Sequence, residues 1–88
     1  MMPSDLRYTH ERAKAYQMIG LHEEAVADFN TVLAKCCPSR AANVYFRRAF
    51  SLKALKRYQE AIDDFEKARS LEPMNERFMV NYKKLKGV

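Results

Sequence analysis

Residues 43–75 read NVYFRRAFSLKALKRYQEAIDDFEKARSLEPMN, and this stretch decides the fold. Val44, Tyr45, Ala49, Leu52 and Leu55 recur at three- and four-residue spacings, which places them along one stripe of a helix. Lys56 and Arg57 interrupt the pattern. It resumes with Tyr58, Ala61, Ile62, Phe65, Ala68 and Leu71 as a second stripe. Pro73 has no amide hydrogen to donate and disfavours helix in the residue before it, so the second helix is expected to end near Leu71 or Glu72. The stretch therefore reads as two amphipathic helices joined by a short turn. Ala49 and Ala61 fall on the stripes where a large side chain would hold the helices apart. Tyr45, Leu52, Tyr58 and Phe65 fill the space around that contact.

The same helix pair occurs upstream. A shift of 36 positions (48 − 12 = 36) carries Arg12, Ala13, Glu24, Ala25, Asp28 and Phe29 onto Arg48, Ala49, Glu60, Ala61, Asp64 and Phe65. Ile19 falls on Leu55 and Val26 on Ile62. Ser4 or Asp5 is suited to cap a helix from about Leu6 to Ile19, whose inward face is Leu6, Thr9, Ala13, Tyr16 and Ile19, with Tyr8 beside them. Gly20 stands where a left-handed residue is wanted to end it. A second helix is expected from about His22 to Lys35, with Ala25, Val26, Phe29, Val32 and Leu33 inward. Cys37-Pro38-Ser39-Arg40 then reads as a loop between the pairs. After Pro73, Asn75 is an N-cap candidate for a last helix from about Glu76 to Lys86, with Phe78, Met79, Tyr82 and Leu85 as its stripe. The expectation is an all-α chain of five helices, one domain over residues 1–88. Its first repeat runs over about residues 5–37, its second over about 40–73, and its terminal helix covers the open flank over about 76–86.

This pattern resembles the tetratricopeptide repeat, a two-helix unit of about 34 residues. The residues that carry the likeness are Tyr45, Ala49, Leu52, Leu55, Tyr58, Ala61, Phe65, Ala68 and Pro73, and the run EAIDDFEKARSLEP matches the family's second helix closely. The first repeat departs more, with Thr9 at the usual aromatic place and Val32 in place of Ala. The resemblance implies a short α-solenoid whose function is non-catalytic protein binding, as an adaptor or scaffold. It also implies that the first helix of each pair lines a concave groove for an extended peptide. Carried over by alignment, the groove residues are Arg7, His10, Glu11, Lys14 and Gln17, then Asn43, Phe46, Arg47, Phe50 and Lys53, then Arg77, Val80, Asn81 and Lys84. Arg7, Lys14, Arg47, Lys53, Arg77 and Lys84 face a single acid, Glu11. Phe46 and Phe50, off the core stripe, suggest an apolar hot spot. A basic rim over an aromatic floor suits an acidic peptide with one hydrophobic anchor. The alternative for the two rings is packing against a neighbouring helix. A chaperone C-terminal tail is a possible partner, but the family's carboxylate clamp is incomplete. Arg47 stands at the place of a clamp arginine, Asn43 at that of a lysine, and Glu11 at that of an asparagine, where it would repel a carboxylate.

Composition fits this reading. Hydrophobic residues make up 48% and charged residues 31%, the balance of a soluble helical chain and not of a disordered one. The net charge of +5 biases partners towards acidic peptides, acidic proteins or nucleic acid. Nucleic acid is a rival with no sequence-reading motif behind it; KKLK near the C-terminus is of a kind common on solvated faces. Self-association through Phe78, Met79 and Tyr82 is the other rival. Cys36 and Cys37 are adjacent and cannot staple distant segments, and no apolar run is long enough to span a membrane. A reducing, cytoplasmic setting is expected, with no cofactor. No enzyme is expected either. His10-Glu11 and His22-Glu23 begin like the zinc-protease motif, but Lys14 and Val26 stand where its second histidine belongs. No Gly-rich phosphate loop exists, since Gly20 and Gly87 are the only glycines. Asp63-Asp64 is explained by the preference of acids for a helix N-terminus.

Overall fold

The computed structural model describes residues 6–35 and 38–87. The cap proposed at Ser4 or Asp5, and Cys36-Cys37, lie outside them. Five helices follow one another: α1 Leu6–Met18, α2 His22–Lys35, α3 Pro38–Ala54, α4 Tyr58–Leu71 and α5 Glu76–Lys86. Each packs against the next in a stack of 45 × 26 × 17 Å. The fold is all-α, a short solenoid of stacked helix pairs, with no strand among the described residues.

The small residues sit where the seam needs them. Ala13, Ala25, Ala49, Ala61 and Ala68 are fully buried, and Phe29 and Phe65 fill the space beside them. The core is continuous along the stack because each pair lends a residue to the other. Val26 of α2 packs in the cluster of Phe46, Leu52, Phe65, Phe78 and Tyr82, while Val44 of α3 packs with Ala13, Phe29 and Val32. Stripe residues at helix ends fall off the core: Ile19 is 70% exposed, and Tyr8, Tyr58 and Leu71 are also exposed.

The two intra-pair turns share one geometry. The Leu21 amide donates to Tyr16 O at 2.8 Å, and the Arg57 amide donates to Leu52 O at 2.9 Å. Both bonds span five residues around a left-handed position, the Schellman way of ending a helix. In the first turn that position is Gly20 (φ +88°) and in the second it is Lys56 (φ 65°). Asn75 caps α5, its side chain accepting from the amides of Arg77 and Phe78, and Gly87 closes the helix in the left-handed region.

One boundary differs from expectation. The loop expected at Cys37–Arg40 is in its described part helix: α3 begins at Pro38 and runs for 17 residues. Proline is suited to the first helical position, where its missing amide hydrogen would have had no intrahelical partner. The surplus of the first repeat over the family length thus extends α3 and carries Arg40 on that helix.

Candidate functional site

α1, α3 and α5, the first helices of successive pairs, lie side by side. Gln17 Nε2 joins α1 to α3, donating to Arg47 O at 2.7 Å and to Ser51 Oγ at 2.8 Å. His22 Nδ1 approaches the same hydroxyl at 3.2 Å. Ser51 is fully buried, so this junction is structural and Gln17 is a staple between repeats. Phe46 and Phe78 join α3 to α5 with ring centroids 4.6 Å apart.

The aromatic floor is corrected by the structure. Phe46 is only 3% exposed and packs against Phe50, Phe65 and Phe78. Phe50 is half-buried, with its ring 5.4 Å from that of Phe65. Phe46 therefore belongs to the core and Phe50 leans on it. Neither is a free anchor site: the alternative holds, in which the rings pack against neighbouring helices, here α4 and α5. Arg77 lies over the Phe46 ring at 5.3 Å and completes that cover. Asn81 is bonded within its own helix, donating to Arg77 O at 2.8 Å. Phe78 and Tyr82 are likewise buried within the chain, which removes them as a surface for a second copy; Val80 stays half-exposed.

The polar residues assemble around His10. Its ring packs edge-on against Phe29 of α2, with centroids 5.9 Å apart. Its Nε2 is shielded from water and has no hydrogen-bond partner among the described residues; the same holds for Arg47 Nε. Burial pushes the His10 imidazole below its ordinary pKa, and the charges of Lys14, Arg47 and Arg40 push the same way against Glu11. Lys14 is bound to Glu11 at 2.9 Å, so the one acid of the face is neutralised by its own helix. The lysine bond in turn lowers the Glu11 carboxyl. Arg7, Asn43, Lys53, Arg77 and Lys84 are exposed. The structure thus gathers His10, Lys14 and Arg47, while Arg77 and Asn81 stand apart at the α5 flank. It adds Arg40, which sequence reading had assigned to a loop. Pro38 as a helix-starting residue was the signal that could have found it.

The repeated polar pairs face elsewhere. Arg12 donates to both oxygens of Asp28 at 2.7 and 2.8 Å, and Arg48 to both oxygens of Asp64 at 2.6 and 2.7 Å. Asp64 is therefore a buried ion-pair partner, not an acid placed for a helix N-terminus. A cleft between α2, α3 and α4 includes Arg48, Asp64, Asn30, Arg57 and Glu60 in its lining. These groups are already engaged with one another, Arg48 with Asn30 at 2.6 Å and Arg57 with Glu60 at 2.5 Å. No cluster of three or more potential metal ligands exists among the described residues, and no described helix is long and apolar enough to cross a membrane.

The tetratricopeptide repeat family model matches residues 42–75. The first TPR of Spaghetti (RPAP3) bound to the HSP90 peptide SRMEEVD is similar at a TM-score of 0.86 and 27% identity, over 97% of this chain and 66% of that one. The match places one tetratricopeptide repeat at residues 42–75, and the fold likeness extends over nearly the whole chain. The Arabidopsis OM64 TPR domain is similar at a TM-score of 0.83 and 29% identity, over 93% of this chain and 66% of the other. The chain thus spans 66% of the length of these solved chains. No curated protein matches it. The architecture is that of a protein-interaction repeat module, a class that is generally non-catalytic.

Proposed function

We propose that this protein is a non-catalytic adaptor or scaffold module that holds an acidic, extended peptide on the face made by α1, α3 and α5. One observation carries the reading. Arg40 and Arg47 lie near His10 and Lys14, Lys53, Arg77 and Lys84 are exposed further along, and the one expected acid, Glu11, is bound to Lys14. Among the described residues neither Arg40 nor Arg47 has a carboxylate within ion-pair distance. Unmatched cations on a partly apolar surface favour an acidic partner and disfavour a basic one. The Spaghetti domain, similar over nearly all of this chain, holds a peptide with three acidic side chains, which makes SRMEEVD a rational probe. The binding set is Arg7, His10, Lys14, Asn43, Arg47, Lys53, Arg77, Asn81 and Lys84, with Arg40 added; the Phe46 and Phe50 rings support it from below. The adjacent pair Cys36-Cys37, which cannot staple distant segments, fits a reducing, cytoplasmic setting for such a module.

The test is the affinity of fluorescent SRMEEVD for the wild type and for Arg47→Glu and Lys53→Glu, read by anisotropy at low and high salt. Reversal at Arg47 is expected to weaken binding at least about tenfold, and salt to weaken the wild type. Equal affinities in variants that melt like the wild type would refute this surface.

A further inference from the structure

His10 Nε2 is a buried titratable nitrogen with no acceptor among the described residues. Phe29 of α2 offers only a ring edge, 5.9 Å away by centroids. On α1, Glu11 is held by Lys14 at 2.9 Å. From α3 come only the cations Arg40 and Arg47, and Arg47 Nε is itself buried without a partner. A proton on His10 would place a positive charge among three others and leave a buried N–H donor unsatisfied. Both costs vanish together if a carboxylate enters from outside. It would accept from the half-buried His10 ring, turned so that an N–H meets it, and from the terminal nitrogens of the Arg47 fork, and it would cancel the repulsion.

We propose that a carboxylate of the bound peptide is captured between His10 and Arg47, and that its capture takes up a proton on His10. The inference rests on the peptide-binding reading above and adds its regulation. In the free protein His10 is neutral near pH 7, since burial and the cations favour the uncharged ring. In the complex the ring is charged and bonded. Binding therefore strengthens as the pH falls from about 7.5 to 5.5, by up to tenfold for each pH unit by which the complex raises the imidazole. The ligand chemistry is a carboxylate, from an acidic side chain or from a peptide C-terminus. The amidated form of the same peptide distinguishes them: proton uptake retained assigns a side chain, and uptake lost assigns the terminus.

The experiment is titration calorimetry of SRMEEVD into the whole chain across this pH range, in two buffers of different ionisation enthalpy. Wild type is compared with His10→Phe, which keeps a ring against Phe29 and cannot titrate. The wild type is expected to bind at least about threefold tighter at pH 5.5 than at 7.5, with net proton uptake; the variant is expected to show neither. Should His10→Phe fold poorly, the imidazole proton signals of the wild type decide. Only two histidines exist, and the His10 titration is expected to move upward with peptide. Binding with the same pH slope in both proteins, or an unmoved His10 titration, would overturn the proton linkage and leave the groove intact. No binding at any pH would overturn the groove itself, and the linkage with it.

Discussion

Arg48 grips Asp64 through two hydrogen bonds of 2.6 and 2.7 Å, and Arg12 grips Asp28 in the same way one repeat earlier. The two pairs are sequence-equivalent but not energetically equivalent. The Arg48 side chain is 21% exposed and that of Arg12 is 45% exposed. Burial pushes the Asp64 carboxyl up and the bonds from Arg48 pull it back, while those bonds raise the Arg48 guanidinium. Removing one partner of such a buried pair strands the other, at a cost of about 3–5 kcal/mol. Asp64→Ala is therefore expected to unfold at much lower urea than wild type, and Asp28→Ala to lose less, because Arg12 regains water. The double replacement Arg48→Met, Asp64→Leu is expected to recover most of the Asp64→Ala loss, since no charge is left buried. Urea midpoints at neutral pH test all three; equal losses for Asp28→Ala and Asp64→Ala would show that burial does not set the difference.

The Schellman turns give a second contrast. Gly20 and Lys56 hold the same left-handed position, and only glycine does so without steric cost. Lys56→Gly is expected to stabilise by about 0.5–1 kcal/mol, the backbone strain it relieves exceeding the entropy it adds to the unfolded chain. A Cβ built on Gly20 meets nothing within 4 Å. Gly20→Ala is thus expected to cost about 1 kcal/mol from backbone alone. A melting temperature raised by Gly20→Ala would mean that the turn relaxes out of the left-handed region.

Phe46 shows how far the sequence could be read. The helix-pair seam was legible because Ala13, Ala49, Ala61 and Phe65 sit at spacings that only a helix pair explains, and all are buried. The role of Phe46 was not legible, because it depends on where α5 lies. Periodicity within α3 assigns Phe46 to the face away from α4, yet its ring meets Phe65 of α4 at 5.7 Å and Phe78 of α5 at 4.6 Å, and together they make that face core. Arg40 was missed for a related reason, since the start of α3 depended on reading Pro38 as a helix opener. Phe46→Ala is accordingly expected to cost about 3–5 kcal/mol, the loss of a large buried ring and the cavity it leaves. Overpacking the seam with Ala49→Leu or Ala61→Leu is expected to cost about 1–3 kcal/mol. Calorimetric melts check both. A Phe46→Ala chain as stable as wild type would mean that α5 does not hold its place against α3.

His10 makes the stability of the free chain pH-dependent, and the direction follows from its surroundings. The folded pKa lies below the ordinary value of 6.5, so the unfolded chain binds the proton more readily than the folded one. The stabilising contribution is complete above pH 6.5. It declines as the pH falls through that value, and it levels off below the folded pKa, where both states are protonated. Urea midpoints are expected to drop between about pH 7 and pH 5.5 in the wild type, and to drop less in His10→Phe, which packs on Phe29 without a proton to bind. The difference between the two curves isolates His10 from every other group that both proteins share. Saturating acidic peptide is expected to shrink or reverse that difference, because a bound carboxylate favours the charged ring. Parallel curves for the two proteins, with and without peptide, would show that His10 keeps an ordinary pKa in the folded state.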